Sequence, residues 1–153
     1  MDTATLHPPQ KTWPILPMAL GYCTLLAVLA LDGPAGLLSG LSAILTSQSV
    51  LLSDYAAVGG PGAALLSSAL TVLLAVAVLH FSKAPINGGT LSTLGLVAGF
   101  SLFGKNILNS PPILLGAWLS AKARRVPFSS CANVGVMAPT LGPLVSFVCF
   151  SQN

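Results

Sequence analysis

The sequence predicts an all-α polytopic membrane protein with re-entrant or broken helices among about 4–6 hydrophobic segments. Hydrophobic residues make up 54% of the 153 residues and charged residues only 6%, whereas an average soluble domain is about 25% charged. The mean hydropathy is +0.86, so the chain has too little polar surface to cover a water-soluble core. The apolar residues also form separate runs, interrupted by Gly, Pro and polar residues.

The first residues are predicted to form a polar tail, followed by a first span. Residues 1–14 contain a Pro-Pro pair and precede a single helical domain over residues 15–150. The run from Ile15 to Leu31 has 17 residues, which is about 25 Å of helix, and Trp13 precedes it as an interfacial anchor. Lys11 before an apolar run is also typical of a signal peptide. No small-residue cleavage site follows, so a retained span is expected.

Two segments of different character come next. The run from Ala63 to His80 is nearly all Ala, Val and Leu and is long enough to span a bilayer. The run from Leu37 to Leu52 is interrupted by Ser, Thr and Gln, which favours a helix that is packed in protein or enters the membrane only partway. Between the two runs, Gly59, Gly60 and Gly62 are predicted to permit a sharp turn.

The second half of the chain begins with a helix that is predicted to break within the membrane. The run Thr90–Gly104 would give about 22 Å of helix against the roughly 30 Å needed to span, and Ile113–Ala121 is shorter still. Pro111 and Pro112 are tolerated in the first turn of a helix. We therefore expect one helix to end near Gly104 and another to begin near Pro111, both at membrane depth.

The basic residues predict the orientation. If the run from Leu37 to Leu52 enters and leaves the membrane on the same side, every basic residue except Lys105 lies on one side of the membrane. Asp32 then lies on the other side. The positive-inside rule then predicts a cytoplasmic N-terminus in a multi-pass protein of the inner (plasma) membrane. Six scattered basic residues do not predict a nucleic-acid-binding patch. The residues on the cytoplasmic side would be Lys11, Lys83, Lys122, Arg124 and Arg125.

Four polar residues form the candidate site for a small solute or ion. An acid or a lysine at membrane depth is costly and normally faces a cavity or a partner. Asp54 and Lys105 are therefore predicted to bind an ion, a proton or an anionic group, or to pair with each other. The alternatives are an interfacial loop acid and a lysine that reaches the headgroups. Asn106 and Asn109 accompany the lysine and are expected to bind a polar solute, to bind free backbone groups or to cap a helix.

Other residues are predicted to serve packing alone. The pairs Gly36/Gly40 and Gly95/Gly99 have the small-residue spacing that lets two helices approach closely. Tyr55 is interpreted as an interfacial or packing aromatic residue.

Motifs for catalysis or cofactor binding are absent from the sequence. It has no HExxH zinc motif and no GxSxG nucleophile motif. The three cysteines are far apart and form no C-x-x-C pair. We therefore expect no cofactor, no metal and no enzymatic activity.

Three stretches of the chain resemble one known family. LLSDYAAVGGPGAALLSSAL, GGTLSTLGLVAGFSLFGKNILNSPPILLGAWLSA and PFSSCANVGVMAPTLGPLVS are similar to the N-terminal half of an uncharacterised bacterial family of multi-spanning membrane proteins, the domain of unknown function DUF1576. The resemblance covers about Gly33 to Ser146 and implies a membrane fold with no established activity. Members of that family are longer, so the resemblance also implies a fragment or truncated member. A missing C-terminal half, or a second copy in a homo-oligomer, would complete its bundle.

Two functions agree with these expectations. The first is a transporter or channel half-unit of unknown substrate, with its polar site at the broken helices. The second is a non-transporting membrane scaffold or assembly protein, in which the Gly-rich faces only pack. An intramembrane enzyme ranks last because the sequence offers one candidate intramembrane acid, Asp54. The expected partners are the lipid bilayer and a small solute or ion, and not nucleic acid.

Overall fold

The computed structural model describes residues 20–21, 23–25, 33–47, 53–85 and 87–141. In these ranges the chain is all helical, as the sequence predicts, apart from loops and a single antiparallel bridge between Asp54 and Phe103. The predicted polar tail and most of the predicted first span lie outside the described residues. The helices are α1 (Gly33–Thr46), α2 (Tyr55–Gly59), α3 (Pro61–Phe81), α4 (Gly88–Phe100), α5 (Ser110–Ala123) and α6 (Ala132–Met137), with 3-10 turns at Phe128–Ser130 and Ala138–Leu141.

The longest helix, α3, lies at the centre of the described structure. It contacts α1, α2, α4 and α6, and its 21 residues give about 31 Å of helix. Within the described ranges it is the one helix long and apolar enough to cross a membrane, a criterion that the core helix of a soluble protein also meets. Helices α1 and α4 are apolar but shorter. The core around α3 includes Val72, Ala75, Leu79, Val97 and Val136.

Gly60 alone separates α2 from α3. Its φ of +87° belongs to the region that glycine adopts without a steric penalty, and this allows α2 to end and α3 to begin within one residue. Pro61 follows in the first turn of α3, where its missing N–H leaves no intrahelical hydrogen bond unmade. The sharp turn is therefore built from a glycine and a proline.

The backbones of α1 and α2 are in close contact. A Cβ atom at Gly40 would overlap the carbonyl oxygen of Gly59 and would lie 2.8 Å from the Cβ of Ala63. The close helix contact predicted at Gly95 and Gly99 is not found in the described structure. A Cβ atom at either glycine would meet no atom within 4 Å. Helix α4 packs through its opposite face, and both glycines are exposed.

The predicted helix break lies between α4 and α5. Helix α4 ends at Phe100, four residues before Gly104, and α5 begins at Ser110, one residue before Pro111. We call residues 101–109 the crossover. Gly104 has a φ of +96°, which the chain uses to turn between the two helices.

Candidate functional site

Lys105 is buried in the crossover, with 2% of its surface exposed. Its Nζ donates a hydrogen bond to the carbonyl oxygen of Val136 at 3.1 Å, in the last turn of α6. Carbonyl groups at a helix C-terminus lack intrahelical partners and carry partial negative charge, so an ammonium group is stabilised there. An ammonium can donate three hydrogen bonds. Within the described residues Lys105 makes this one and forms no ion pair.

A small cavity lies beside Lys105. Its volume is about 10 Å³, which is close to the space that one water molecule requires. Thr71 and Ser110 are among the residues that line it. The Thr71 hydroxyl donates to the carbonyl oxygen of Ser67 at 2.8 Å, and the Ser110 hydroxyl donates to that of Asn106 at 2.7 Å. Both hydroxyl hydrogens are thus bonded within the protein, and most of the surface that lines the cavity is apolar.

Thr71 fixes the position of the cavity along α3. It is the middle residue of this 21-residue helix, so the cavity lies about 15 Å from either helix end at 1.5 Å per residue. Ser110, the first residue of α5, and Val136, in the last turn of α6, line the same cavity. Two helices therefore end beside the middle of a third.

Asn106 and Asn109 bond to the backbone of the crossover. Asn106 Oδ1 accepts hydrogen bonds from the N–H groups of Leu108 and Asn109, each at 2.9 Å. Asn109 Oδ1 in turn accepts from the N–H of Asn106 at 2.9 Å, and its Nδ2 donates to the carbonyl oxygen of Gly104 at 2.7 Å. Asn109 makes no side-chain capping bond to α5, so of the three roles considered for these amides the geometry favours the stabilisation of free backbone groups.

Tyr55 connects the crossover to α2, and sequence analysis did not include it in the site. It is fully buried, and its hydroxyl accepts a hydrogen bond from Asn106 Nδ2 at 3.0 Å. Its backbone N–H also donates to the carbonyl oxygen of Leu102 at 3.2 Å. The one indication in the sequence was its position next to Asp54. Asn106 is 51 positions away, and no local sequence spacing relates two residues so far apart.

Asp54 caps α2 and does not pair with Lys105. Its Oδ1 accepts hydrogen bonds from the N–H groups of Ala56 at 2.9 Å and Ala57 at 3.4 Å, and the residue is exposed. The bridge to Phe103 brings the Asp54 backbone to the crossover. The candidate ion pair between Asp54 and Lys105 is therefore not formed in the described structure, since the carboxylate binds the start of its own helix.

The charged residues lie towards the two ends of α3, with Lys105 as the exception among the described residues. Asp54 precedes α2, which adjoins the first residue of α3, and Lys83 follows its last residue. Val78 of α3 and Trp118 of α5 line one groove, so α5 runs from the middle of α3 towards its C-terminal end. The basic residues that follow Trp118 in the chain therefore lie towards the same end of α3 as Lys83. They are Lys122, Arg124 and Arg125.

The comparisons with known proteins concern the family alone. Residues 34–153 match a family model described as Protein of unknown function (DUF1576). The chain belongs to the DUF1576 family. This confirms the resemblance drawn from the Ser-Asp-Tyr and Phe-Gly-Lys-Asn sequences, and the match contains all four candidate residues. No curated protein and no solved structure matches the chain.

Two buried polar side-chain atoms of the DUF1576 chain have no hydrogen-bond partner within the described ranges. They are Ser67 Oγ and Asn133 Oδ1. Ser67 lies one turn before Thr71 on α3, and positions four apart share a helix face. Asn133 Nδ2 donates to Thr90 Oγ1 at 3.3 Å. Among the residues with described positions, no three His, Cys, Asp or Glu side chains are grouped to hold a metal ion.

Proposed function

We propose that this DUF1576 chain is a component of a membrane transporter or channel whose ion or solute site is at Lys105. The observation that carries the proposal is a buried lysine without a carboxylate partner in the described structure, beside the middle residue of a helix of spanning length. Secondary transporters build their sites from helices that end near the midplane of the bilayer. The ends of α5 and α6 have this arrangement relative to α3.

A membrane environment explains the surface of the protein. Large apolar side chains are exposed on several helices, among them Leu38, Leu91 and Leu115, which are 68%, 62% and 56% exposed. Apolar surface distributed over several helices is stable against lipid and costly against water. The α3 helix, at about 31 Å, also matches the roughly 30 Å hydrocarbon thickness of a bilayer.

The exposed polar side chains of α1 are also compatible with lipid. The Ser39, Ser42 and Thr46 hydroxyls donate to carbonyl oxygens of their own helix at 2.9, 2.7 and 2.8 Å. Such bonds satisfy a hydroxyl group where water is absent. We propose that α1 lies in the membrane and, at about 21 Å for 14 residues, does not cross it completely.

The charges support one orientation. Under the positive-inside rule, the end of α3 that carries Lys83 and the basic residues after Trp118 faces the cytoplasm. Asp54 then faces the opposite side. In this placement Lys105 lies near the midplane, where a lysine costs about 2.5–3.5 kcal/mol on insertion scales. A cost of this size is typical of intramembrane residues that bind an ion, a substrate or a partner group.

We infer that an anion is the ligand, because an ammonium group with unused donors attracts negative charge. The cavity beside Lys105 has room for about one water molecule. The structure therefore corresponds to a closed state, and an anion enters after the ends of α5 and α6 separate.

The test measures anion flux in proteoliposomes that contain the full chain. The vesicles are placed in the potassium salt of chloride, nitrate or acetate, valinomycin supplies K⁺ permeability, and light scattering follows the volume change. We expect at least one anion to enter faster than it enters protein-free vesicles. Lys105→Gln removes the ammonium and should abolish this excess rate, whereas Lys83→Gln, which removes an exposed charge, should retain it.

A second function is favoured by the internal hydrogen bonds of the site. Asp54, Asn106 and Asn109 all bind backbone groups, and this is sufficient for a non-transporting scaffold or assembly protein. Anion flux equal to that of empty vesicles for all three salts would overturn transport by this chain on its own and favour the scaffold. Flux that Lys105→Gln leaves unchanged would exclude Lys105 as the site.

A further inference from the structure

An open apolar groove lies between α3 and α5, next to the cavity at Lys105, with which it shares Leu74 and Leu114. Its volume is about 760 Å³. Val78 of α3 forms part of one wall, Pro111, Leu115 and Trp118 of α5 form another, and Phe128 contributes near the basic end. From Pro111 to Trp118 the groove follows α5 for about 10 Å at 1.5 Å per residue. This volume is large enough for a flexible hydrocarbon chain, and none of the described residues that line the groove is charged.

Basic side chains lie at one end of this groove. The Lys122 Nζ is 5.1 Å from the centre of the Trp118 ring, so a wall of the groove and the first basic residue are in direct contact. Arg124 and Arg125 follow at the end of α5, and both are exposed. Within the described residues none of the three forms an ion pair. The groove wall thus meets one positive charge, at Lys122, and two more follow it in the chain; none of the three has a negative partner among the described residues.

We propose that this groove binds an anionic phospholipid, with an acyl chain along Pro111–Trp118 and the phosphate at Lys122, Arg124 and Arg125. Charge complementarity selects this occupant. A neutral lipid would fill the apolar groove equally well but would leave the basic residues without a partner, and basic pockets between membrane helices bind anionic headgroups. The proposal rests on the membrane placement described above, but not on transport or on Lys105.

The test uses Trp118 as a fluorescent reporter. The chain has two tryptophans, so Trp13→Phe leaves Trp118 as the single one. This variant is reconstituted into phosphatidylcholine bilayers that contain increasing fractions of either brominated phosphatidylglycerol or brominated phosphatidylcholine, whose bromine atoms quench tryptophan at short range. We expect half-maximal quenching at about a fivefold lower fraction of the anionic lipid, the effect of roughly one basic residue.

Two further variants locate the headgroup. In the Trp13→Phe background, Lys122→Gln should bring the two quenching curves closer together, and Lys83→Gln should leave their separation unchanged. Equal quenching by both lipids in the Trp13→Phe protein would overturn the proposal without affecting the transport proposal. Weak quenching that rises as the protein is diluted in the bilayer would mean that a second copy fills the groove, which also overturns it. Absence of quenching at every protein density would contradict the membrane placement itself.

Discussion

The side-chain amide of Asn106 donates a hydrogen bond to the hydroxyl of Tyr55 at 3.0 Å, across 51 positions of sequence. Both residues are buried. Asn106 also holds the crossover together through its Oδ1, so this contact fixes the break between α4 and α5 to the start of α2.

Tyr55→Phe should lower the free energy of unfolding by about 1–2 kcal/mol, because the buried Asn106 amide loses its acceptor. Asn106→Ala should cost more, since two backbone N–H groups lose their acceptor as well. Unfolding by sodium dodecyl sulfate in mixed micelles, followed by circular dichroism, measures both. Trp118→Phe, at an exposed aromatic residue, is the control and should change stability by less than about 0.5 kcal/mol. Equal stability of Tyr55→Phe and the parent protein would contradict the contact.

Gly40→Ala should destabilise the protein by about 1–3 kcal/mol, because its methyl group would overlap the backbone of Gly59 and the two helices would have to move apart. Gly95→Ala is the matched control. It adds the same methyl group to a helix where nothing lies within 4 Å, and it should be neutral or stabilising by up to about 1 kcal/mol. The same micelle unfolding assay applies. Similar losses at both positions would mean that α4 packs through Gly95 against a surface outside the described residues.

Lys105→Met should leave the protein as stable as the parent, or make it more stable by about 1 kcal/mol. The substitution removes a buried charge and retains most of the side-chain volume, an exchange that is often neutral or stabilising. Lys122→Met, at an exposed lysine, provides the comparison. A loss of more than about 2 kcal/mol for Lys105→Met would show that the bond to Val136 is needed for folding, and it would favour the scaffold function.

Cysteine labelling in intact cells tests the orientation. In a background without the three native cysteines, Asp54→Cys should react with a membrane-impermeant maleimide added from outside. Lys83→Cys should react only after the cells are permeabilised, and Lys105→Cys should react in neither condition because it is buried. Labelling of position 105 as fast as that of the exposed positions 54 or 83 would place the crossover at the membrane surface and would contradict the proposed site.

The sequence was sufficient to predict the helix break but not its internal structure. Two consecutive prolines favour the start of a helix, and Gly104 favours a turn, so the ends near these residues follow from local backbone preferences. The end of α4 at Phe100 is followed by a loop that is held by hydrogen bonds between Asn106 and Asn109. Those bonds require a loop conformation that composition and periodicity do not specify.

The partners of the candidate residues were also beyond the sequence. Lys105 binds a carbonyl oxygen 31 positions away. Because this acceptor belongs to the main chain, the type of residue at that position does not indicate it. The glycine pairs show a similar limit, since the same spacing marks a helix contact at Gly40 and an exposed face at Gly95. Spacing identifies residues that permit close approach, whereas the fold determines which of them are used.

The acceptor of Lys105 has a genetic consequence. Because it belongs to the main chain, every amino acid at position 136 supplies it, and no substitution there can delete it or reverse its charge. Second-site revertants of a Lys105 variant should therefore map to the wall of the neighbouring cavity, at Thr71 or Pro139, and a selection for compensating acids at position 136 should return none.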